Sequence, residues 1–314
     1  MKICQVRKDY IPPAKDSQGA ERVVESLSRG LINLGHEVTI VADDIPKEDF
    51  DIPVRTTIPL NCDIVHYHGW YAENEYDQVP IPWVATPHCG GMETDPEWLK
   101  SAENNKDHII CVSNFVSTRL KCPAYVWTCS DPGHFVFSKD KEDYFLWMAG
   151  TDWGEGKGLF TTIQLAKKFR FKLKIAGSGQ DLNNIAFIKK SCDDKIEYLG
   201  SINGKEKAEI LSKAKALILL TNLPDACPTT VGEAMLSGTP VIGSINGAMP
   251  ELISEKVGFI CKTEQEVVKA IVSIKKINPL DCLEHGYKNF TNTVSAVSHL
   301  HYYNNMLNFG KVKL

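Results

Sequence analysis

The sequence has no run of 18 or more apolar residues, so it offers no segment long enough to cross a bilayer as a helix. Its opening, MKICQVRKDY, passes from a short apolar strand straight into charge and lacks the apolar core of a signal peptide. The expected location is therefore the cytoplasm. The ten cysteines form no C-x-x-C pair, and no histidine is spaced from them as in a zinc site. That argues against a disulfide framework or a structural metal. Cys4, Cys111 and Cys261 lie in apolar runs and read as small packing residues. An excess of positive charge is missing too: 35 Lys and Arg stand against 39 Asp and Glu, a net charge of −4. A nucleic-acid binder would show a basic face, and no nucleic-acid partner is expected. Ser113 lacks the G-x-S-x-G surroundings of a hydrolase nucleophile.

What is present suits two domains of roughly 150 residues each. Apolar residues make up 43% of the 314, enough for two ordinary cores. Charge is uneven: residues 1–137 carry 12 Lys/Arg against 20 Asp/Glu, and residues 138–314 carry 23 against 19. The basic second half is compatible with a phosphate-bearing ligand. Short β-branched runs predict strands near 2–6, 37–42, 63–67, 82–86 and 108–112. A second set falls near 143–149, 171–176, 196–199, 215–220 and 239–243. Runs apolar on both faces suit parallel strands buried between helices. Val23, Val24, Leu27, Leu31 and Leu34 mark a helix over 20–34 that stops at Gly35, and helices are also predicted over 204–214 and 229–237. The expected fold class is α/β, with two Rossmann-like, doubly wound parallel sheets. The charged stretch Ser138–Asp143 is the linker candidate, dividing a domain at 1–137 from one at 138–294. Residues 295–314 would then hold a helix that packs back across the domains.

The most informative stretch is 215–251, KALILLTNLPDACPTTVGEAMLSGTPVIGSINGAMPEL. A buried strand ends near Thr221, a Pro/Asp loop follows, and a helix starts near Thr229. Asp225 therefore falls at a strand-to-helix crossing, with Glu233 one to two turns into the helix. Ligands of open α/β sheets bind at such strand ends. First-turn amides around Thr229 and Thr230 are ready donors to a phosphate. The two carboxylates, eight residues apart, can each hold hydroxyls.

This segment resembles the nucleotide-sugar site of retaining GT-B glycosyltransferases of family 4, also called glycosyl transferases group 1. The likeness rests on Asp225, Glu233-Ala234-Met235, Ser237-Gly238-Thr239-Pro240-Val241 and Gly247-Ala248-Met249-Pro250-Glu251. It implies two domains facing a cleft, with the acceptor side in the N-terminal domain and the donor in the C-terminal one. Glu233 would bind ribose hydroxyls, and Asp225 hydroxyls of the transferred sugar, as a shorter replacement for the family's usual Glu. Further landmarks follow in order. Gly19-Ala20-Glu21-Arg22 resembles the Gly-Gly-x-Glu-Arg loop beside the diphosphate, with Gln18 in the first glycine's place. Asp63 to Gly69 resembles a strand-end motif that makes His66 and His68 acceptor-side candidates. Thr86-Pro87-His88, followed by Gly90-Gly91, makes His88 the candidate catalytic histidine against the donor sugar. Lys157 resembles the family's Lys-Gly, whose ammonium offsets charge on the departing diphosphate. The Arg usual five residues earlier is Asp152 here, or Thr151 with one insertion. Gly177 matches the glycine turn near the nucleotide.

The resemblance implies a hexosyltransferase-type enzyme using a UDP-sugar ahead of a GDP-sugar, with retention of configuration and no metal cofactor. Asp49-Phe50-Asp51 spells the D-x-D of metal-dependent glycosyltransferases but lacks their sheet context. The acceptor is unidentified: a glycan, a lipid-linked sugar or a small molecule, with room for peripheral membrane contact. Two alternatives stand beside this reading, a nucleotide-sugar 2-epimerase of the same fold and a binding protein that has lost turnover.

Overall fold

The structure is a computed structural model that describes residues 1–8, 19–45, 50–69, 79–88 and 96–312. The chain forms two compact units. The first comprises Met1–Asp131 with Asn289–Leu314, and the second Pro132–Lys288.

Strands of the first unit are β1 (Lys2–Val6), β2 (Glu37–Val41), β3 (Val54–Arg55), β4 (Ile64–His68) and β5 (Trp83–Thr86). Their order is β3-β2-β1-β4-β5, with every pairing parallel. A small parallel pair, β6 (Ile110–Cys111) with β7 (Ala124–Tyr125), continues from it through a bridge between Ala85 and Ile109. The second unit contains β8 (Phe145–Met148), β9 (Leu173–Ala176), β10 (Ile196–Gly200), β11 (Leu217–Leu219), β12 (Val241–Ser244) and β13 (Gly258–Cys261). Its order, β10-β9-β8-β11-β12-β13, is again parallel throughout. In both sheets the chain starts in the middle, winds outward one way, then returns to wind the other way. Two doubly wound Rossmann-like sheets are the result.

The expected strands fall close to their places. Those at 54–55, 124–125 and 258–261 were not expected; the first two are only two residues long and show no period. β4, β8, β11 and β12 are buried along their whole length, as parallel strands covered on both faces must be. The helix Gly19–Asn33 turns Val23, Val24, Leu27 and Leu31 onto its sheet. Leu27 and Leu31 are fully buried, each worth about 2 kcal/mol of apolar transfer. No helix among the described residues is long and apolar enough to cross a membrane.

The unit boundaries differ from those expected. The chain enters the second unit at Pro132, ahead of the charged stretch, because Phe137 packs inside that unit, against Gly238. It re-enters the first unit at Asn289. There Ser130 N donates to Phe290 O (2.9 Å), and Asn292 N donates to Ser130 O (3.0 Å). The final helix spans Asn292–Phe309, capped by Thr291 Oγ1, and belongs to the first unit. Its Ala296, Tyr302, Tyr303 and Met306 share a core with Leu27, Leu31 and Ile64.

Gly30 lets the first and last helices approach. A Cβ at that position would sit 2.3 Å from Asn292 O. Gly30→Val should therefore overpack the crossing and lower the unfolding free energy by about 1–3 kcal/mol, read from urea denaturation. An unchanged midpoint would mean that the crossing is looser than this spacing.

Candidate active site

In the second unit the candidate residues all follow strand ends. β11 stops at Leu219, and the loop that carries Asp225 runs to the helix Thr229–Leu236. Two neighbouring loops hold it. Thr221 O accepts from Ser244 Oγ (2.7 Å) and Asn246 Nδ2 (2.8 Å), and Ala248 N donates to Asp225 O (2.8 Å). Gly247, with φ +63°, passes so close that a Cβ there would lie 2.2 Å from Asp225 O, so only glycine fits this turn. On the other side, Gly156 O accepts from Asn222 N (2.8 Å) and Thr221 Oγ1 (3.0 Å). Trp147 Nε1 donates to Lys157 O (3.1 Å). These bonds bring together two residues 68 apart in sequence: Lys157 Nζ donates to Asp225 Oδ2 in an ion pair.

Glu233 lies on the buried side of its helix and is only 3% exposed. Its Oε1 accepts from Lys207 Nζ at 2.7 Å, and its Oε2 is buried with no hydrogen-bond partner among the described residues. Lys207, itself 8% exposed, was missed by sequence reasoning. The signal was there: on the helix Gly204–Lys213 it lies on the buried face with Ala208, Leu211 and Ser212, a cation where an apolar residue is usual. Thr229 and Thr230 open the helix Thr229–Leu236, whose N-cap, Pro228, provides no side-chain cap. Their half of the first turn offers backbone amides that side chains do not take.

Gly177 N donates to Gly200 O (2.8 Å), and Gly177 O accepts from Tyr198 Oη (3.0 Å), so the expected glycine turn is pinned beside the end of β10. Asp152 stands where the resemblance would place an Arg. Its Oδ1 accepts from the backbone amides of Gln180 (2.6 Å) and Asp181 (2.7 Å), which makes it a loop cap.

In the first unit, Gly19 is the first residue of its helix; Gln18 and the Gly90-Gly91 pair lie outside the described residues, as does Asp49 of the D-x-D. Arg7, just past β1, was also missed. It donates through Nη2 to Glu21 Oε1 (2.9 Å) and through Nη1 to His68 O (3.1 Å). His68 Nδ1 and His88 Nε2 lie 3.0 Å apart. His66 needs a correction. It is 0% exposed, its Nδ1 is 2.7 Å from Tyr303 Oη and its Nε2 is 2.7 Å from Thr86 Oγ1. Both ring nitrogens are engaged, so His66 is an interior link rather than an acceptor-side group. His68, 1% exposed, is likewise interior, and His88 alone of the three is partly exposed.

Burial pushes the imidazoles of His66 and His68 well below the ordinary histidine range. His88 is held down to about 3 by burial and then by the Arg7 and His299 charges, and burial holds His299 at about 4. All four rings are neutral near pH 7. Among the described residues no group of three or more His, Cys, Asp or Glu is arranged to hold a metal ion.

Two parallel doubly wound sheets define the class: this is the GT-B fold of glycosyltransferases. AviGT4, a glycosyltransferase involved in avilamycin A biosynthesis, has a similar structure, with a TM-score of 0.78 at 20% identity covering 99% of both chains. Anabaena Alr3699/HepE, in complex with UDP, gives a TM-score of 0.73 at 13% identity, covering 96% of this chain and 98% of that one. In sequence the chain is similar to the uncharacterised glycosyltransferase MJ1607 of Methanocaldococcus jannaschii, 22% identical over 83% of this chain and 84% of the relative. Residues 133–285, which lie in the second unit, match the family Glycosyl transferases group 1. The protein is a transferase of the glycosyltransferase class.

Depressed histidine pKa values tie stability to pH. The unfolded chain binds more protons than the native one between the native values and about 6.5, so stability rises with pH across that window. It is fully present above about pH 6.5 and is lost as the pH falls toward 4. For His299 the loss between pH 7.5 and pH 5 should be about 2 kcal/mol, at about 1.4 kcal/mol per pH unit. Urea midpoints at the two pH values should show it, and His299→Gln should flatten the dependence. A native protein equally stable at pH 5 would contradict the buried neutral cluster.

Proposed function

We propose that the second unit binds a nucleoside-diphosphate sugar, a UDP-sugar ahead of a GDP-sugar, and that the protein transfers the sugar with retention, as in family 4. The observation that carries this is the bare Oε2 of Glu233. A buried carboxylate oxygen without a partner costs about 1–3 kcal/mol, which a hydroxyl donor would recover. Lys207 keeps Oε1 engaged and the carboxylate in place, leaving Oε2 to a ribose hydroxyl.

The Lys157–Asp225 pair supplies the rest. Each side chain neutralises the other. In this reading the diphosphate draws Lys157, which stabilises the leaving group, and Asp225 takes hydroxyls of the transferred sugar near its anomeric carbon. First-turn amides at Thr229 and Thr230 add positive potential from the helix N-terminus. Gly177, pinned beside the end of β10, borders the nucleotide. This reading calls for no resident metal. UDP is favoured because Anabaena Alr3699/HepE is known with UDP and with UDP-glucose. The acceptor is a hydroxyl-bearing molecule read by the first unit.

A nucleotide-sugar-binding protein without turnover is the second reading. Asp152 favours it, because a carboxylate spent on two backbone amides replaces the guanidinium expected to touch phosphate.

Thermal-shift screening against UDP-, GDP- and ADP-sugars tests the site. A ligand at 100 times its Kd stabilises by about 2.7 kcal/mol. Glu233→Gln should weaken nucleotide binding about 10- to 100-fold. Lys157→Met and Asp225→Asn should cut transfer by about 100- to 1000-fold, as loss of a charge-stabilising group does. No shift with any nucleotide sugar at millimolar concentration would sink the reading. Binding without transfer to any acceptor would favour the second.

A further inference from the structure

One face of the first sheet carries polar groups in the middle of an apolar core. Gln5 of β1 stands beside His66 of β4, and His68 beside Thr86 of β5. His66 and His68 share a face because strand side chains alternate, and His88 follows Thr86 by two. Tyr303 of the last helix lies against this face. Gln5, His66, His68 and Thr86 are each at most 3% exposed, so each polar atom must find its partner inside.

The partners form one chain. Gln5 Nε2 donates to Tyr303 Oη (3.3 Å), which orients the amide so that Oε1 meets His68 Nε2 at 2.5 Å. An amide oxygen only accepts, so His68 Nε2 must carry the hydrogen. His68 is neutral, since burial and then the Arg7 charge oppose its protonation. A neutral imidazole holds one N–H, so His68 Nδ1 is bare and accepts from His88 Nε2 at 3.0 Å. His88 is neutral too, and with its hydrogen on Nε2 its Nδ1 has only a lone pair to offer.

We propose that Gln5 and Tyr303 are positioning residues which, through His68, hold His88 in its Nε2–H form, so that His88 Nδ1 accepts from a ligand hydroxyl. Phosphate, carboxylate and carbonyl oxygens have no hydrogen to give, and this nitrogen disfavours them. The hydroxyl belongs to a sugar, a step that rests on the transfer reading above. The physical role of the last helix is then to set the polarity of a hydrogen-bond chain that starts at a phenol and ends at the ring of half-buried His88. Turned end for end, the same chain would make His88 Nδ1–H a donor and reverse the preference.

Nitrogen-15 NMR of the histidine rings in the full-length protein at pH 7.5 distinguishes the two polarities. The wild type should show His88 as the Nε2–H form. Gln5→Met, which removes both polar atoms of the amide at similar size, should give a mixture of forms, and Tyr303→Phe should shift His88 the same way to a smaller extent. Transfer should fall about 10-fold in Gln5→Met, with the affinity for UDP alone unchanged. A wild-type His88 in the Nδ1–H form, or a ring indifferent to both substitutions, overturns the proposal, and the wild-type spectrum decides even if a variant fails to fold. If His88 behaves as described but no nucleotide sugar binds the wild type, the donor reading has failed and the positioning chain stands.

Discussion

A parallel sheet covered on both faces must be apolar along its strands, because each face is pressed against helices and each backbone group is used in the ladder. Polarity is then cheap only where strands stop. Both units place polar groups at such ends, and the first also buries Gln5 and His66 within β1 and β4. Lys157 follows β8, Gly177 follows β9, Asp225 follows β11 and Gly247 follows β12. Arg7 follows β1 and His88 follows β5. All these strands run the same way within their sheets, so their polar ends gather at one edge of each unit. The site is a consequence of direction as much as of residue choice.

The second unit shows how such an edge tolerates charge. Asp225 is held by Lys157 and Glu233 by Lys207, each pair joined across a long stretch of chain. A buried carboxylate alone would be costly, and a cation within hydrogen-bonding distance removes most of that cost. The two pairs differ in what they leave over. Lys207 occupies one oxygen of Glu233 and leaves the other bare, whereas Asp225 shares its proton-accepting edge with an ammonium that a diphosphate can draw away. Asp152 does the opposite work: its carboxylate closes a loop by taking two amides, so a position where the resemblance expects positive charge contributes negative charge instead.

The first unit solves a related problem without charge. Its buried polar residues are satisfied by one another, in a line running from the last helix to the sheet edge. Keeping the rings neutral avoids burying cations near Arg7, and Arg7 is itself paired with Glu21. The final helix is thus part of the first unit's core, and Tyr303 contributes both apolar area and a hydroxyl to it.

The sequence by itself determined the alternation of buried strands and amphipathic helices, hence two doubly wound sheets, and the stretch from Leu220 to Glu251 that carries Asp225 and Glu233. These are local properties, set by residues within a few positions of one another. Only the tertiary structure decided that Lys157 meets Asp225, that Lys207 meets Glu233, and that Gln5 meets Tyr303 from 298 residues away. It also turned both His66 and His68 inward, although the sequence placed them in a strand-end motif. Two-residue strands such as Val54–Arg55 were hidden for the same reason, since they exist only as partners of a longer neighbour. Periodicity tells which side chains share a face, but which element covers that face depends on how distant segments pack, and no local pattern encodes that.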